Sequence, residues 1–257
     1  MNSREWRILQ GTAGRAARQM ERDEALAREP IPTIRLFSWD PPAVSLGWKQ
    51  KTPAWLAAPV WRSTGLEWVE RPTGGGIAVH GSDLSVAVVV PRLLGLSLGS
   101  LMSSVCQSAV LLCRTFGAQA EPLVEVPGST RVTTCLAETS SYAVLAGGRP
   151  STRPAERRDS LGIATDGIMG WRKLAGFALR RYPDTWLIQG SLLIEPLPPA
   201  LASALPPSML RQLDERAVPL AQVAAEPVDV QAAMRRWAEC WPAWWESLLI
   251  EELSVAP

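Results

Sequence analysis

Histidine occurs once in this 257-residue chain, at His80, and lysine only three times, at Lys49, Lys51 and Lys173. A lone histidine, with four cysteines (Cys106, Cys113, Cys135, Cys240) in no paired spacing, leaves no His/Cys set of the kind that holds zinc. No metal is therefore expected. A formal net charge of +1 gives no electrostatic footprint for nucleic acid or an anionic membrane. No apolar run approaches the roughly 20 residues that a spanning helix needs. The opening MNSREWRILQ lacks the basic-then-apolar build of a leader, so a cytoplasmic location with reduced thiols is expected.

The scarcity of lysine gives one position weight. Where arginine is the general-purpose cation, Lys173 directly after Arg172 marks a place that needs a compact charge or a removable proton. The twelve tryptophans are scattered without period and read as packing residues.

The chain is organised around Arg71 to His80, RPTGGGIAVH, which runs into the apolar Leu84 to Val90. A turn needs one or two glycines for positive φ. Three together, Gly74, Gly75 and Gly76, strip a patch of backbone of side chains, which suits either a hairpin loop or a ligand lying against bare N–H groups. The flanking Arg71, Thr73 and His80 favour the ligand.

Periodicity predicts a helix over residues 12–28, with Asp23 and Glu24 on its solvated face, and a second over 97–116 whose apolar stripe carries Cys106 and Cys113 as core thiols. Strands are predicted at Thr33 to Trp39, Ala43 to Trp48, Leu66 to Arg71, Leu84 to Val90 and Tyr142 to Ala146. Two more, Leu161 to Ala175 and Trp186 to Ile194, flank the lysine, and 118–141 reads as irregular. Helices are expected at 207–216 and 228–253, the latter interrupted by Pro242. Strands and helices without βαβ alternation indicate an α+β fold with a mixed, largely antiparallel sheet and helices packed on it.

RPTGGGIAVHGSDLSVAV resembles the signature of the lipoate–protein ligase, octanoyltransferase and biotin ligase superfamily, and GWRKLAGFALRRYPDTWLIQGSLLIE resembles its lysine segment. MERDEALA, TIRLFSWDPPAVSLGWKQ and the Cys135 region follow the same template in order, over about residues 5–195. The resemblance implies a catalytic domain over 1–195, with an insertion at about 147–162, and a helical extension over 196–257 packed on it. It implies an acyl pocket under the glycine loop, with Val79, Gly176, Phe177 and Ala178 at its wall and Arg71, Thr73, the three glycines and His80 at its polar end. It also implies Cys135 and Lys173 as catalytic residues, since TTCLAETSSYAVL resembles the segment bearing the nucleophile of the cysteine-dependent octanoyltransferases. Two residues depart from the pattern: Glu70 replaces the first arginine of a pair, and Leu179 a frequent glutamine.

The activity so implied is transfer of an octanoyl or lipoyl group to a lysine of a lipoyl carrier domain. That domain would be of the 2-oxoacid dehydrogenase or glycine-cleavage H protein type, with an acyl carrier protein as possible donor and no cofactor. Two alternatives stand beside it. One is an ATP-dependent lipoate ligase using ATP and Mg; the other is a non-catalytic protein that only binds the carrier. Biotin ligase fits the lysine segment less well.

Overall fold

The structure, a computed structural model, describes residues 6–58, 61, 63–124, 134–138, 140–147 and 170–255, with the backbone alone over 248–255. The predicted insertion beyond Gly147 and the first part of the predicted 161–175 strand lie outside the described residues.

The central strand is β6 (Asp83–Pro91), buried along its whole length. It pairs antiparallel with β2 (Thr33–Phe37) on one side and β10 (Thr185–Leu193) on the other. β10 continues to β9 (Arg172–Arg181), β8 (Ala143–Ala146) and β7 (Ala120–Leu123), while β1 (Arg7–Gln10) lies parallel to β2 at the far edge. A second sheet of three strands has the order β4 (Glu67–Glu70), β3 (Ala43–Leu46), β5 (Ala78–His80). The mixed, mostly antiparallel α+β architecture expected from the sequence is the one observed.

Side-chain alternation with period two assigns each face. Leu84, Val86, Val88 and Val90 of β6 pack into one core with α3 (Leu98–Thr115) and the final helix α7 (Val230–Val255). Each such side chain contributes roughly 1.5–3 kcal/mol of burial. Ala87 and Val89 turn the other way, onto α1 (Ala16–Ala27). On that same face, towards the start of the strand, stand Asp83 and Ser85, so the sheet's second side is apolar at one end and polar at the other. β3 and β5 behave likewise. Val44 and Val79 join a core with α4 (Pro199–Ala204) and α5 (Pro207–Arg216), beside the single-turn helix α2 (Ala54–Ala57).

After β10 the chain returns to β9. Ala217 bridges Lys173, and the Val218 amide donates to the Lys173 carbonyl at 3.0 Å, just before the short α6 (Leu220–Val223).

Four sequence expectations need correction. Asp23 is fully buried, not solvated: it ion-pairs with Arg35 of β2, which also reaches Gln19, while Glu24 stays outside and pairs with Arg28. α7 runs unbroken through Pro242, because Trp237, Trp241 and Trp245 on successive turns are buried and Trp6 stacks edge-on against the last two. β7 forms despite Pro122, at a sheet edge where a missing donor is tolerated. β9, which carries Lys173, runs on to Arg181 instead of ending at Ala175.

Burial pushes the Asp23 carboxyl up to about 6, against the opposing charge of Arg35 and a hydrogen bond from Gln189. The folded state thus holds this proton more tightly than the unfolded chain. The stabilisation is full below the ordinary carboxylate range and is lost as pH rises through about 6. Urea unfolding at about pH 5 and about pH 7 is expected to show this increment, roughly 1–3 kcal/mol, in the parent and not in Asp23→Asn. An identical pH dependence in both would exclude it.

Candidate active site

The polar face of β6 and the inner face of the small sheet enclose a cavity. Its volume, counted as space open to the centre of a water-sized sphere, is about 100 Å³. One ordered water needs roughly 10–15 Å³ on that measure, so the space suits a chain of several atoms. Met20, Phe37, Trp39, Val86 and Phe177 give it apolar walls. Gly190 on β10 has the ring of Phe177 lying over it, where a Cβ would sit 2.2 Å from Cδ1.

The glycine loop forms one end. Arg71, buried at the end of β4, donates through Nη2 to the Gly74 and Gly76 carbonyls, each at 2.7 Å, and through Nη1 to the Ser45 carbonyl and hydroxyl, each at 3.1 Å. The loop therefore turns two carbonyls toward the cation. Among the described residues no carboxylate ion-pairs with Arg71. Burial lowers its pKa and the Cys135 sulfur raises it. Thr73 stands behind the loop, with Oγ1 donating to Gln189 Oε1 at 2.8 Å, and Gln189 Nε2 in turn reaches Asp23 at 2.6 Å.

The opposite wall carries the thiol. The Cys135 amide donates to the Ile77 carbonyl at 2.7 Å, which fastens the cysteine segment to the strand after the glycines. Its carbonyl accepts from Lys173 Nζ at 2.6 Å, and the same ammonium donates to the Glu138 carbonyl (3.1 Å) and Ser140 Oγ (2.6 Å). All three of its donors thus hold the 135–140 segment. Burial pushes the Lys173 ammonium below its ordinary value, while the charges of Cys135, then Glu138, pull it back up. A Cβ on Gly176 would lie 2.8 Å from Cys135 Sγ and 3.4 Å from Lys173 Nζ. Thiol and ammonium therefore crowd one missing side chain.

Of the residues expected at the site, Cys135, Gly176, Phe177 and Ala178 border the cavity, as do Arg71, Gly75, Gly76 and His80. Lys173 is buried beneath the cysteine segment. Val79 is turned away. Ala78 and His80 face the cavity, so period-two alternation sends Val79 into the core on the other side of the small sheet. Glu70 is exposed and Leu179 packs against the main core.

Sequence reasoning missed the group around His80. Its Nδ1 lies 2.8 Å from Asp83 Oδ2 and its Nε2 2.8 Å from Ser45 Oγ. Asp83 also accepts from Ser85 Oγ (2.9 Å), Ser191 Oγ (2.7 Å) and the Gly81 amide (3.0 Å). Burial would raise the Asp83 carboxyl, but the charge and hydrogen bond of His80, then the bonds from Ser191 and Gly81, hold it below the ordinary range. Trp39 stacks on the imidazole with ring centroids 4.0 Å apart and donates its indole N–H to Ser85. It is thus a site residue, unlike the packing tryptophans. The available signal was polarity at alternate positions, Asp83 and Ser85, in a run otherwise apolar.

Glycine has two distinct uses here. Gly75 has φ +92°, and a Cβ on it would sit 2.9 Å from Arg71 Nη2, whereas a Cβ on Gly47 would fall 2.0 Å from the Gly75 carbonyl oxygen. Gly75→Val and Gly47→Ala are both expected to lose thermal stability along with acyl binding, since each disturbs backbone as well as ligand space. Gly74→Ala, with nothing within 4 Å, is expected to melt like the parent. An equally large loss of melting temperature in Gly74→Ala would contradict this division.

The family model described as the lipoyl protein ligase A/B catalytic domain matches residues 15–241. An octanoyltransferase LipM of Kyrpidia tusciae is 28% identical over 255 residues, covering 91% of this chain and 85% of that protein. An octanoyltransferase LipM of Brevibacillus brevis is 24% identical, covering 98% and 93%. Among solved structures, a lipoate-protein ligase A bound with ATP superposes with a TM-score of 0.65 at 19% identity, covering 98% of this chain and 95% of the other. A bipartite lipoate protein ligase from Thermoplasma acidophilum superposes at 0.62 and 17% identity, covering 98% and 92%. At these identities the two superpositions establish a common fold, and the match over 15–241 establishes descent: the chain belongs to the lipoyl protein ligase A/B catalytic domain family.

Proposed function

We propose that this protein transfers an octanoyl or lipoyl group from a thioester donor to a lysine of a lipoyl carrier domain, through an acyl thioester on Cys135. The observation that carries the reading is the meeting of the Cys135 thiol and the Lys173 ammonium over Gly176, at the wall of a cavity sized for a chain. The relatives named octanoyltransferase LipM support the same activity.

In the first step the Cys135 sulfur attacks the acyl carbonyl carbon. A new C–S bond forms, the donor's C–S bond breaks, and the donor thiol leaves with a proton. One thioester replaces another, so the step is nearly thermoneutral and needs no ATP. Arg71 and Lys173 supply fixed positive charge where negative charge develops on sulfur and acyl oxygen. Burying about seven methylenes against Phe37, Val86 and Phe177 contributes some 5–6 kcal/mol before ordering costs. In the second step the chain passes to the carrier lysine, and formation of an amide from a thioester makes it downhill. An acyl carrier protein fits as donor, and a 2-oxoacid dehydrogenase subunit or glycine-cleavage H protein as acceptor.

The test is incubation with an octanoyl carrier thioester and an apo lipoyl domain, with and without ATP. Transfer without ATP is expected. Transfer only with ATP, Mg and free acid would assign a ligase instead, and none under either condition would leave a carrier-binding protein.

A further inference from the structure

The second half of this reaction needs a group that the first does not. A lysine reaches the acyl-enzyme as an ammonium and is no nucleophile until it loses a proton. The three donors of Lys173 are all engaged with the cysteine segment, and an ammonium accepts nothing.

Ser45, His80 and Asp83, from β3, β5 and β6, line up beside the same cavity. The carboxylate only accepts, so His80 carries a hydrogen on Nδ1 toward Asp83, and whenever the ring is neutral its Nε2 accepts from the Ser45 hydroxyl. A hydroxyl has one donor and two acceptor sites. The donor faces His80 and one acceptor takes the Arg71 Nη1–H. Among the described residues nothing fills the second acceptor, and Ser45 borders the cavity. Four polar contacts on Asp83 and the Trp39 ring on the imidazole fix the arrangement.

We infer that Ser45, His80 and Asp83 form a proton relay that deprotonates the carrier lysine as it attacks the acyl-Cys135 thioester; this rests on the acyltransferase reading above. The ammonium gives one proton to Ser45 Oγ as Ser45 passes its own to His80 Nε2, leaving an imidazolium beside Asp83. The freed lone pair forms the C–N bond, and the C–S bond breaks with its electron pair on sulfur. The second surplus proton on nitrogen goes to that sulfur, leaving an amide, a Cys135 thiol and a protonated His80 that returns its proton to solvent.

The test separates the two halves. Cys135 is loaded with an octanoyl thioester, and its discharge is timed with an apo lipoyl domain and, separately, with hydroxylamine, which is unprotonated at neutral pH. In Ser45→Ala and His80→Gln, discharge to the lysine is expected to fall about 100-fold or more, within the range of general-base contributions, while discharge to hydroxylamine falls far less. Parallel loss with both nucleophiles would make the three residues structural, and lysine discharge within a few fold of the parent would end the proposal. Should His80→Gln not fold by circular dichroism, Ser45→Ala gives the same comparison. Failure of the parent itself to load at Cys135 would instead overturn the acyltransferase reading.

Discussion

Cys135→Ala is expected to take up no octanoyl group from a thioester and to transfer none, while folding like the parent. Three observations single out this thiol. Cys106 and Cys113 are buried in α3, where loss of solvation pushes each thiol up to about 12, so both remain protonated and inert. Cys240 lies on α7, which packs against α3 and β1, away from the cavity. Cys135 alone of the four borders it, fixed through its amide by Ile77 and through its carbonyl by Lys173. Intact mass spectrometry should therefore give one added acyl group, removable by hydroxylamine, in the parent and in Cys106→Ala and Cys240→Ala. An adduct that persists in Cys135→Ala would overturn the assignment.

Lys173→Arg is expected to lose at least roughly 100-fold in loading rate although the charge is retained. A compact ammonium places its three N–H bonds on the Cys135 carbonyl, the Glu138 carbonyl and Ser140 Oγ, none further than 3.1 Å. A planar guanidinium on a longer stem cannot match three acceptors set around one nitrogen. The empty volume beside it is the one that Gly176 leaves to the sulfur. The larger head would therefore displace the nucleophile itself. Single-turnover loading and a thermal melt test this together, and loading within a few fold of the parent would show that position 173 needs only a positive charge.

How much of the site could be read in the sequence follows from how its parts are made. The glycine triplet, the lone histidine and the scarce lysine are rare features, and they led to residues that border or support the cavity. Ser45, Ser85, Ser191 and Gln189 are common types on three separate stretches, and only strand register makes them neighbours: β6 with β10 sets Ser85 opposite Ser191 and Ala87 opposite Gln189, and β3 with β5 brings Ser45 beside His80. Asp23 was misread because a helix is judged by its own period, whereas its burial is fixed by Arg35 on another element. Val79 was misplaced because a motif names consecutive residues, and a strand sends alternate ones to opposite faces. The fold class needed no such long-range information, since strand and helix periods are local.

The closure of Lys173 by Val218 sets an order on biosynthesis. β9 can form its hairpin with β10 soon after residue 193 is made, yet the Lys173 carbonyl gains the Val218 amide only once the chain has grown a further two dozen residues. The central strand β6 waits still longer relative to its own synthesis, since its partner β10 begins 94 positions after β6 ends. A chain arrested on the ribosome before residue 218 would therefore carry both the thiol and the lysine, with the Lys173 carbonyl still lacking its Val218 partner.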